Sequence, residues 1–390
     1  MAKMLFMLAP DTPRVGSPTT SAKRDADETF DAEGPAEAEI LRELRVMIEA
    51  WRGIKVVTHY DRPTGSWFFI ALHDATLGMP VGGCRMAAYP TAADGLRDAM
   101  RLAEGMTHKW AAINFGHGGG KSVIAVPSPL TGDERSGVFR RFGELVESLD
   151  GLYSTGQDLG TNSDDMAVIA GMTRYVHGID AATGNHIDSG HYTALGVLAG
   201  IEASLKHVFG SGEMRGRRIF VQGVGSVGGA LARMLSKAGA EVAISEADET
   251  RAREYAGALN VELVPTEKMY AAACDVYAPC AMGGTLNSQS VPLLTCRIVA
   301  GAANNQLQCS EVADQLDRRG ILYAPDYVVN AGGAIALSML HRGATGAEVH
   351  ARIEDIAGTL GGIFAEAAER QESPARAARR RVERIIAGTH

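Results

Sequence analysis

A glycine string set between a strand and a helix places the strongest limit on the architecture of this chain. Gly223-Val224-Gly225-Ser226-Val227-Gly228 reads GxGxxG, follows the strand-like run Arg218–Gln222 and opens a helix expected over 229–238. A second strand-like run, Glu241–Ser245, ends at an acid, Glu246. With 46 glycines in 390 residues such a string arises easily by chance, so its flanks matter more than the string. Glycine at these places permits a tight turn, close approach of backbone to a pyrophosphate, and close packing of helix on strand. The free N–H groups at the helix N-terminus then face phosphate. Glu246 lies 23 residues after Gly223. A carboxylate there accepts hydrogen bonds from both adenosine-ribose hydroxyls and repels a 2′-phosphate, so NAD is expected over NADP. Arg251 and Arg253 follow closely and work against that preference.

The same rhythm continues downstream. Strand-like runs at 218–222, 241–245, 276–278, 298–300 and 321–324 alternate with helical segments, the pattern of a parallel, doubly wound sheet. The first half differs. Helical spacing is expected over 36–51, 91–106 and 137–149, with an antiparallel strand pair at 55–60 and 67–73 around Asp61-Arg62-Pro63-Thr64-Gly65. A glycine-rich turn over 116–120 is expected to lead into Lys121 and a strand at 122–126. Residues 1–35, rich in Pro, Ser, Thr, Asp and Glu without periodicity, are expected to be a disordered tail. A length of 390 residues is ample for two cores.

Composition excludes several classes. The net charge of −8 supplies no general attraction to nucleic acid or anionic lipid. The arginines of 376–384 are expected to form a solvated helix face opening at Ser373-Pro374. No apolar run approaches the roughly 20 residues that cross a membrane. Five cysteines, an odd number without a CxxC pair, fit reduced thiols in a cytoplasmic protein and neither a disulfide framework nor a metal site.

Lys109 and Lys121 stand 12 residues apart, one near a helix end and one after three glycines. The apolar or tiny neighbours of Lys121 (Phe115, Gly118, Gly119, Gly120, Val123, Ile124) are expected to desolvate it. Asp158 follows in a polar, loop-like stretch.

Six blocks in order then resemble the glutamate/leucine/phenylalanine/valine dehydrogenase family, over a span from about residue 40 to the C-terminus. They are Val81-Gly82-Gly83-Cys84-Arg85-Met86, Glu104-Gly105-Met106-Thr107-His108-Lys109, Gly118-Gly119-Gly120-Lys121-Ser122-Val123-Ile124, Gly156-Gln157-Asp158-Leu159-Gly160-Thr161, Ala302-Ala303-Asn304-Asn305-Gln306-Leu307 and the stretch from Tyr323-Ala324-Pro325-Asp326 to Asn330-Ala331-Gly332-Gly333. The resemblance implies an α/β fold of two domains. An N-terminal α/β substrate and oligomerisation domain spans 36–185 and is joined by C-terminal helices of 345–390; a doubly wound Rossmann domain for the dinucleotide spans 186–344. It further implies a homo-oligomer acting on an amino acid, with its 2-oxo acid and ammonium as products.

Residue by residue, Lys109 resembles the lysine that pairs with the substrate α-carboxylate, assisted by an asparagine of Asn304-Asn305. Lys121 resembles the lysine that polarises the 2-oxo group and activates water, and Asp158 the acid/base that moves protons at the substrate nitrogen. Gly82 and Gly83 would let backbone approach the substrate. Thr193 and Asn330 resemble positions near nicotinamide and substrate, and Cys280-Ala281 lies near the cofactor.

The side-chain pocket positions, Val81, Gly156, Ala334 and Leu337, are small and apolar, without the cation that glutamate requires. They resemble the phenylalanine enzymes more than the branched-chain enzymes, which remain the alternative. Three residues depart from the family's pattern: Trp110 where asparagine is usual, His108 where an aromatic is usual, and His191 in a segment that usually carries proline. Trp110 is either core packing or a reshaped pocket, which keeps tryptophan open as substrate. A catalytically silent relative would lack Lys109, Lys121 or Asp158, and all three are present.

Overall fold

Alternating large apolar residues in the first half put both faces of one sheet out of contact with water. The computed structural model describes Arg42 and residues 45–388, so the expected 1–35 tail and most of 36–44 lie outside the described residues. Helix α1 (45–51) precedes β1 (Lys55–Asp61) and β2 (Ser66–Asp74), an antiparallel pair in register from Lys55↔Leu72 to Asp61↔Ser66. Their turn is pinned by Asp61. Its carbonyl accepts from the Gly65 N–H at 2.8 Å, and its buried carboxylate takes Arg141 Nη2 at 2.8 Å. Then come β3 (Pro80–Val81), β4 (Cys84–Ala87), α2 (Ala92–Ala112), β5 (Gly118–Ala125), α3 (Gly132–Ser148) and α4 (Ser163–Ala170). Strand β5 is central, antiparallel to β2 and parallel to both β3 and β4. Phe68, Ile70 and Ile124 pack with Phe139 and Phe142 of α3 on one face. Phe69, Ala71 and Val123 pack with Ala99 and Met100 of α2 on the other.

The expected glycine turn over 116–120 is corrected here. Only Gly116 has a left-handed backbone (φ +72°), while Gly118, Gly119 and Gly120 are interior strand residues of β5. Their lack of a side chain serves close packing: a Cβ on Gly119 would sit 1.9 Å from Thr107 Oγ1 of α2, and one on Gly120 2.9 Å from the Tyr153 ring.

The second half runs α5 (Ser189–Phe209), β6 (Arg218–Gln222), α6 (Ser226–Lys237), β7 (Glu241–Ser245), α7 (Glu249–Leu259), β8 (Glu262–Leu263), β9 (Val276–Pro279), β10 (Ile298–Val299), α8 (Glu311–Arg318), β11 (Leu322–Tyr323), α9 (Asp326–Val329) and α10 (Gly332–His341). The strand order is β11-β10-β9-β6-β7-β8, parallel throughout. This is the doubly wound order with its switch point between β6 and β9, the crevice where such sheets hold a dinucleotide. Helix α6 begins three residues before the expected start because Gly228 lies inside it.

Helices α11 (Gly346–Arg370) and α12 (Pro374–Ile386) close the chain, with α12 packed on α2. Arg352 of α11 donates to the Asn114 carbonyl at 3.2 Å, tying it to the end of α2. The arginines of α12 are more than a solvated face. Arg376 pairs with Asp314 at 2.5 Å, Arg384 with Glu366 at 2.7 Å, and Arg380 with Glu372. No described helix is long and apolar enough to cross a membrane, and all five cysteines are free.

Candidate active site

Lys109, Lys121 and Asp158 come from three different elements and meet in one cleft. A capping box between Thr91 and Asp94 starts α2, which then runs unbroken through 21 residues and carries Lys109 in its last turn. Lys121 is the fourth residue of β5, one strand away from the Gly82-Gly83 link between β3 and β4. Asp158 sits in a stretch that shadows that link: Gly82 N–H donates to Ser154 at 3.2 Å, Cys84 N–H to Gly156 at 2.7 Å, and Met86 N–H to Leu159 at 3.0 Å. Thr161 Oγ1 accepts the Asp158 N–H at 2.9 Å and fixes the bend.

The space where Cβ atoms of Gly82 and Gly83 would stand is already taken by protein. A Cβ on Gly82 would lie 1.8 Å from the Gly120 carbonyl, and one on Gly83 2.6 Å from the Gln157 carbonyl and 2.9 Å from Asp158 Cβ. These glycines let the Asp158 stretch and β5 close on each other, in addition to lining the cleft.

Lys121 Nζ reaches Asp158 Oδ1 at 2.8 Å, and Arg85 Nε reaches Oδ2 at 2.9 Å. Arg85 is itself held by Asp98 at 2.9 Å. Burial pushes the Asp158 carboxyl up, but the charges and hydrogen bonds of Lys121 and Arg85 outweigh it and hold the group far below the usual carboxylate range. Asp158 is therefore held as an ionised carboxylate between two cations. Lys109 is half-buried; burial, reinforced by the charge of Lys121 and opposed by Asp326, brings it down to about 8. Its Nζ lies 3.5 Å from Asn304 Oδ1, which also accepts from Asn330 Nδ2 at 2.7 Å. Of the expected asparagine pair, Asn304 faces Lys109, whereas Asn305 (φ +52°) lines a neighbouring cavity with Arg85 and Asp326.

A cavity of about 390 Å³ opens beside these groups. Val81, Gly156, Ala334 and Leu337 all line it, as do Lys109, Lys121, Asp158, Asn304 and Asn330. Trp110 is 1% exposed, with its Nε1–H donating to the Val81 carbonyl at 3.0 Å, so it is a core residue that also forms cavity wall. His108 tilts toward Tyr327 at 6.0 Å, and His191 is an exposed first-turn residue of α5.

Thr193 and Val227 line the same cavity, which thereby reaches the glycine loop of the second sheet. That loop fits a dinucleotide. Gly223 has φ +87°, and a Cβ there would meet the Ala281 Cβ at 2.7 Å. A Cβ on Gly228 would meet the Gly223 carbonyl at 1.9 Å, and would be 3.0 Å from Cys280 Cβ. Nothing stands within 4 Å of the same point on Gly225. Gly225 caps α6 without a side-chain bond, so the first-turn N–H groups, starting from the exposed Ser226, are free for phosphate. Glu246 directly follows β7, its carboxylate accepting from Val224 N–H at 3.0 Å and Asp248 N–H at 3.1 Å, with Arg251 Nη1 at 3.6 Å. At the last residues of β6 and β7, two buried atoms lack a hydrogen-bond partner: Gln222 Oε1 and Ser245 Oγ. Each can pair with a nucleotide hydroxyl or amide.

Sequence patterns did not assign roles to Arg85, Asp326 or His177. Arg85 and Asp326 fall inside recognisable blocks, but their service to Asp158 and Lys109 depends on side chains far along the chain. His177, buried on the cavity wall, carries no local signal at all.

Comparison with known proteins identifies the family of this fold. Residues 55–175 match the model of the Glu/Leu/Phe/Val dehydrogenase dimerisation domain, and 242–386 that of the glutamate/leucine/phenylalanine/valine dehydrogenases. The chain is 37% identical to leucine dehydrogenase of Bacillus subtilis, over 88% of this chain and 95% of that one. It is 38% identical to phenylalanine dehydrogenase of Lysinibacillus sphaericus, over 86% of this chain and 88% of that one. The crystal structure of L-tryptophan dehydrogenase from Nostoc punctiforme superposes with a TM-score of 0.76 at 34% identity, covering 88% of this chain and 99% of that one. The chain belongs to the glutamate/leucine/phenylalanine/valine dehydrogenase family, and is an amino-acid dehydrogenase whose cofactor is NAD.

Proposed function

We propose that the enzyme oxidatively deaminates an aromatic L-amino acid, reversibly, to its 2-oxo acid and ammonium. The observation that carries the aromatic preference is Gly156. A Cβ there would meet nothing nearer than the His177 carbonyl at 3.5 Å, and its backbone is not left-handed. Unlike Gly82, Gly83 or Gly119, it is not required by packing. Its missing side chain, with the small Ala334 also on the wall, leaves room in the cavity for a flat ring.

In this reading Lys109, with Asn304, holds the α-carboxylate, and the cleft orients the α-carbon toward the nucleotide side. NAD, when bound, accepts the hydride that leaves the α-carbon. Asp158 takes a proton from the substrate nitrogen and returns one when ammonia departs. Lys121 polarises the developing oxygen and activates the water that attacks the substrate imine; the resulting carbinolamine collapses to 2-oxo acid and ammonium. The short Lys121–Asp158 contact lets the two exchange a proton directly. Glu246 receives the adenosine-ribose hydroxyls and disfavours a 2′-phosphate. The free cysteines suit the reducing cytoplasm. A homo-oligomer is the assembly we propose, supported by the dimerisation-domain match and by the edge strand β1, whose Tyr60 lies tilted against Trp67 at 4.9 Å on an exposed surface.

The test is kcat/KM for phenylalanine, tryptophan, tyrosine, leucine and valine, followed by NADH absorbance. Preference for a ring supports the reading. Preference for leucine or valine would instead favour the branched-chain assignment, which the similar identity to a leucine dehydrogenase also supports.

A further inference from the structure

His177 is a polar group without a use in the folded protein. It is 5% exposed, and neither ring nitrogen has a hydrogen-bond partner. Its position is rigidly set, because its backbone N–H donates to the Thr155 carbonyl at 2.7 Å beside the bridge Thr155↔Val176. It lines the amino-acid cavity at the Gly156 and Leu337 end, and a Cβ on Gly156 would lie 3.6 Å from its own Cβ. The glycine therefore adds no side chain between this part of the wall and the cavity, which His177 lines.

Other polar side chains at that end are already engaged. Ser338 Oγ meets His117 Nε2 at 2.7 Å, and Thr155 Oγ1 belongs to the hydroxyl set of Tyr153 and Ser122. The other orphan on the wall, Asn330 Oδ1, belongs to the Asn304 and Lys109 end. His341 and His117 pack edge-on against His177, with ring centroids at 4.7 and 6.3 Å. Burial, and then the charges of His341, His117 and Arg342, push His177 down to about 3, although the Leu337 carbonyl pulls the other way without making a well-formed bond. A neutral imidazole has one donor and one acceptor nitrogen. A buried polar group of this kind has its partner supplied from elsewhere, and here the open side is the substrate cavity.

We propose that His177 is a specificity-determining residue that accepts a hydrogen bond from the substrate's ring, so that the preferred substrate is an aromatic amino acid bearing a ring N–H or O–H, an indole or a phenol, rather than a plain phenyl group. The proposal rests on the aromatic assignment above. Among apolar walls a single acceptor discriminates more sharply than added volume does, because a ligand lacking the donor leaves the imidazole desolvated and unpaired.

The experiment compares kcat/KM with NAD for two pairs: tryptophan against its benzothiophene analogue, in which sulfur replaces the ring N–H, and tyrosine against phenylalanine. In the unmodified enzyme the donor-bearing member of at least one pair is expected to win by about tenfold or more. His177→Phe is expected to erase that difference. Equal values within both pairs, in an enzyme that turns over aromatic substrates, overturn the inference and leave the aromatic assignment intact. Turnover confined to leucine and valine overturns the aromatic assignment and the inference with it. A folded His177→Phe that keeps the difference shows that another group reads the ring, and likewise overturns the proposal. If the variant does not fold, the analogue pairs in the unmodified enzyme decide alone.

Discussion

Lys121 Nζ stands 2.8 Å from Asp158 Oδ1, and both side chains are largely withdrawn from solvent. A buried ion pair of this kind is costly to break from one side, because the remaining charge loses its partner inside a low-dielectric cleft. Such an arrangement suits proton movement better than stability alone.

Lys121→Ala is expected to abolish turnover while NADH binding, followed by fluorescence titration, stays within a few-fold of the parent, since the glycine loop lies on the other sheet. Retention of more than about a tenth of the parent kcat would mean that Lys121 does not carry the assigned step.

Lys109 is expected to make substrate binding sensitive to pH. Burial brings it down to about 8, below its ordinary value, so its cationic form is lost as pH rises through that point. Affinity for a 2-oxo acid, measured by calorimetry, is expected to weaken as pH rises above about 8 and to lose this dependence in Lys109→Gln. A flat profile in the parent enzyme would contradict the carboxylate-binding role.

Glu246→Ala is expected to raise KM for NAD and to relax the rejection of NADP, because the carboxylate that repels a 2′-phosphate is removed while Arg251, 3.6 Å from it and also paired with Asp248 at 3.3 Å, stays nearby. The readout is the ratio of kcat/KM for the two cofactors. An unchanged ratio refutes the ribose role of Glu246.

Two glycine substitutions should separate packing from substrate space. Gly119→Ala places a Cβ 1.9 Å from Thr107 Oγ1 and 2.4 Å from its backbone nitrogen. It is expected to destabilise the fold by about 3 kcal/mol, seen as a lower Tm. Gly156→Ala meets only ordinary contacts at 3.5 and 3.6 Å. It should leave Tm nearly unchanged and shift kcat/KM from aromatic toward branched-chain substrates on the order of tenfold. A large Tm loss in Gly156→Ala, with unchanged selectivity, would return this glycine to a packing role.

Much of the second half was legible because its signals are local. The strand, glycine loop, helix and second strand from Arg218 to Glu246 are consecutive in the chain, and the structure keeps them in that order with the phosphate-facing helix end free. The antiparallel pair at β1 and β2 was legible for the same reason, its alternation and turn lying within 20 residues, Lys55 to Asp74. Lys109, Lys121 and Asp158 stand out by residue type and neighbours, although spacing alone does not bring them together.

Tertiary structure decided the rest. A run of glycines has no side chain from which to tell a turn from a strand, and Gly118–Gly120 became strand because α2 and Tyr153 press against β5. Strands β3 and β4 are two and four residues long and exist through pairing with β5 on one side and with the 154–159 stretch on the other. Arg85 grips Asp158 across 73 residues of chain, a contact that no local period encodes. His177 has an ordinary sequence setting, and only the folding of its segment beside Gly156 made it a buried histidine on the cavity wall. Sequence patterns report the backbone a segment prefers; which charges are stripped of water, and beside what, depends on packing between segments distant in the chain.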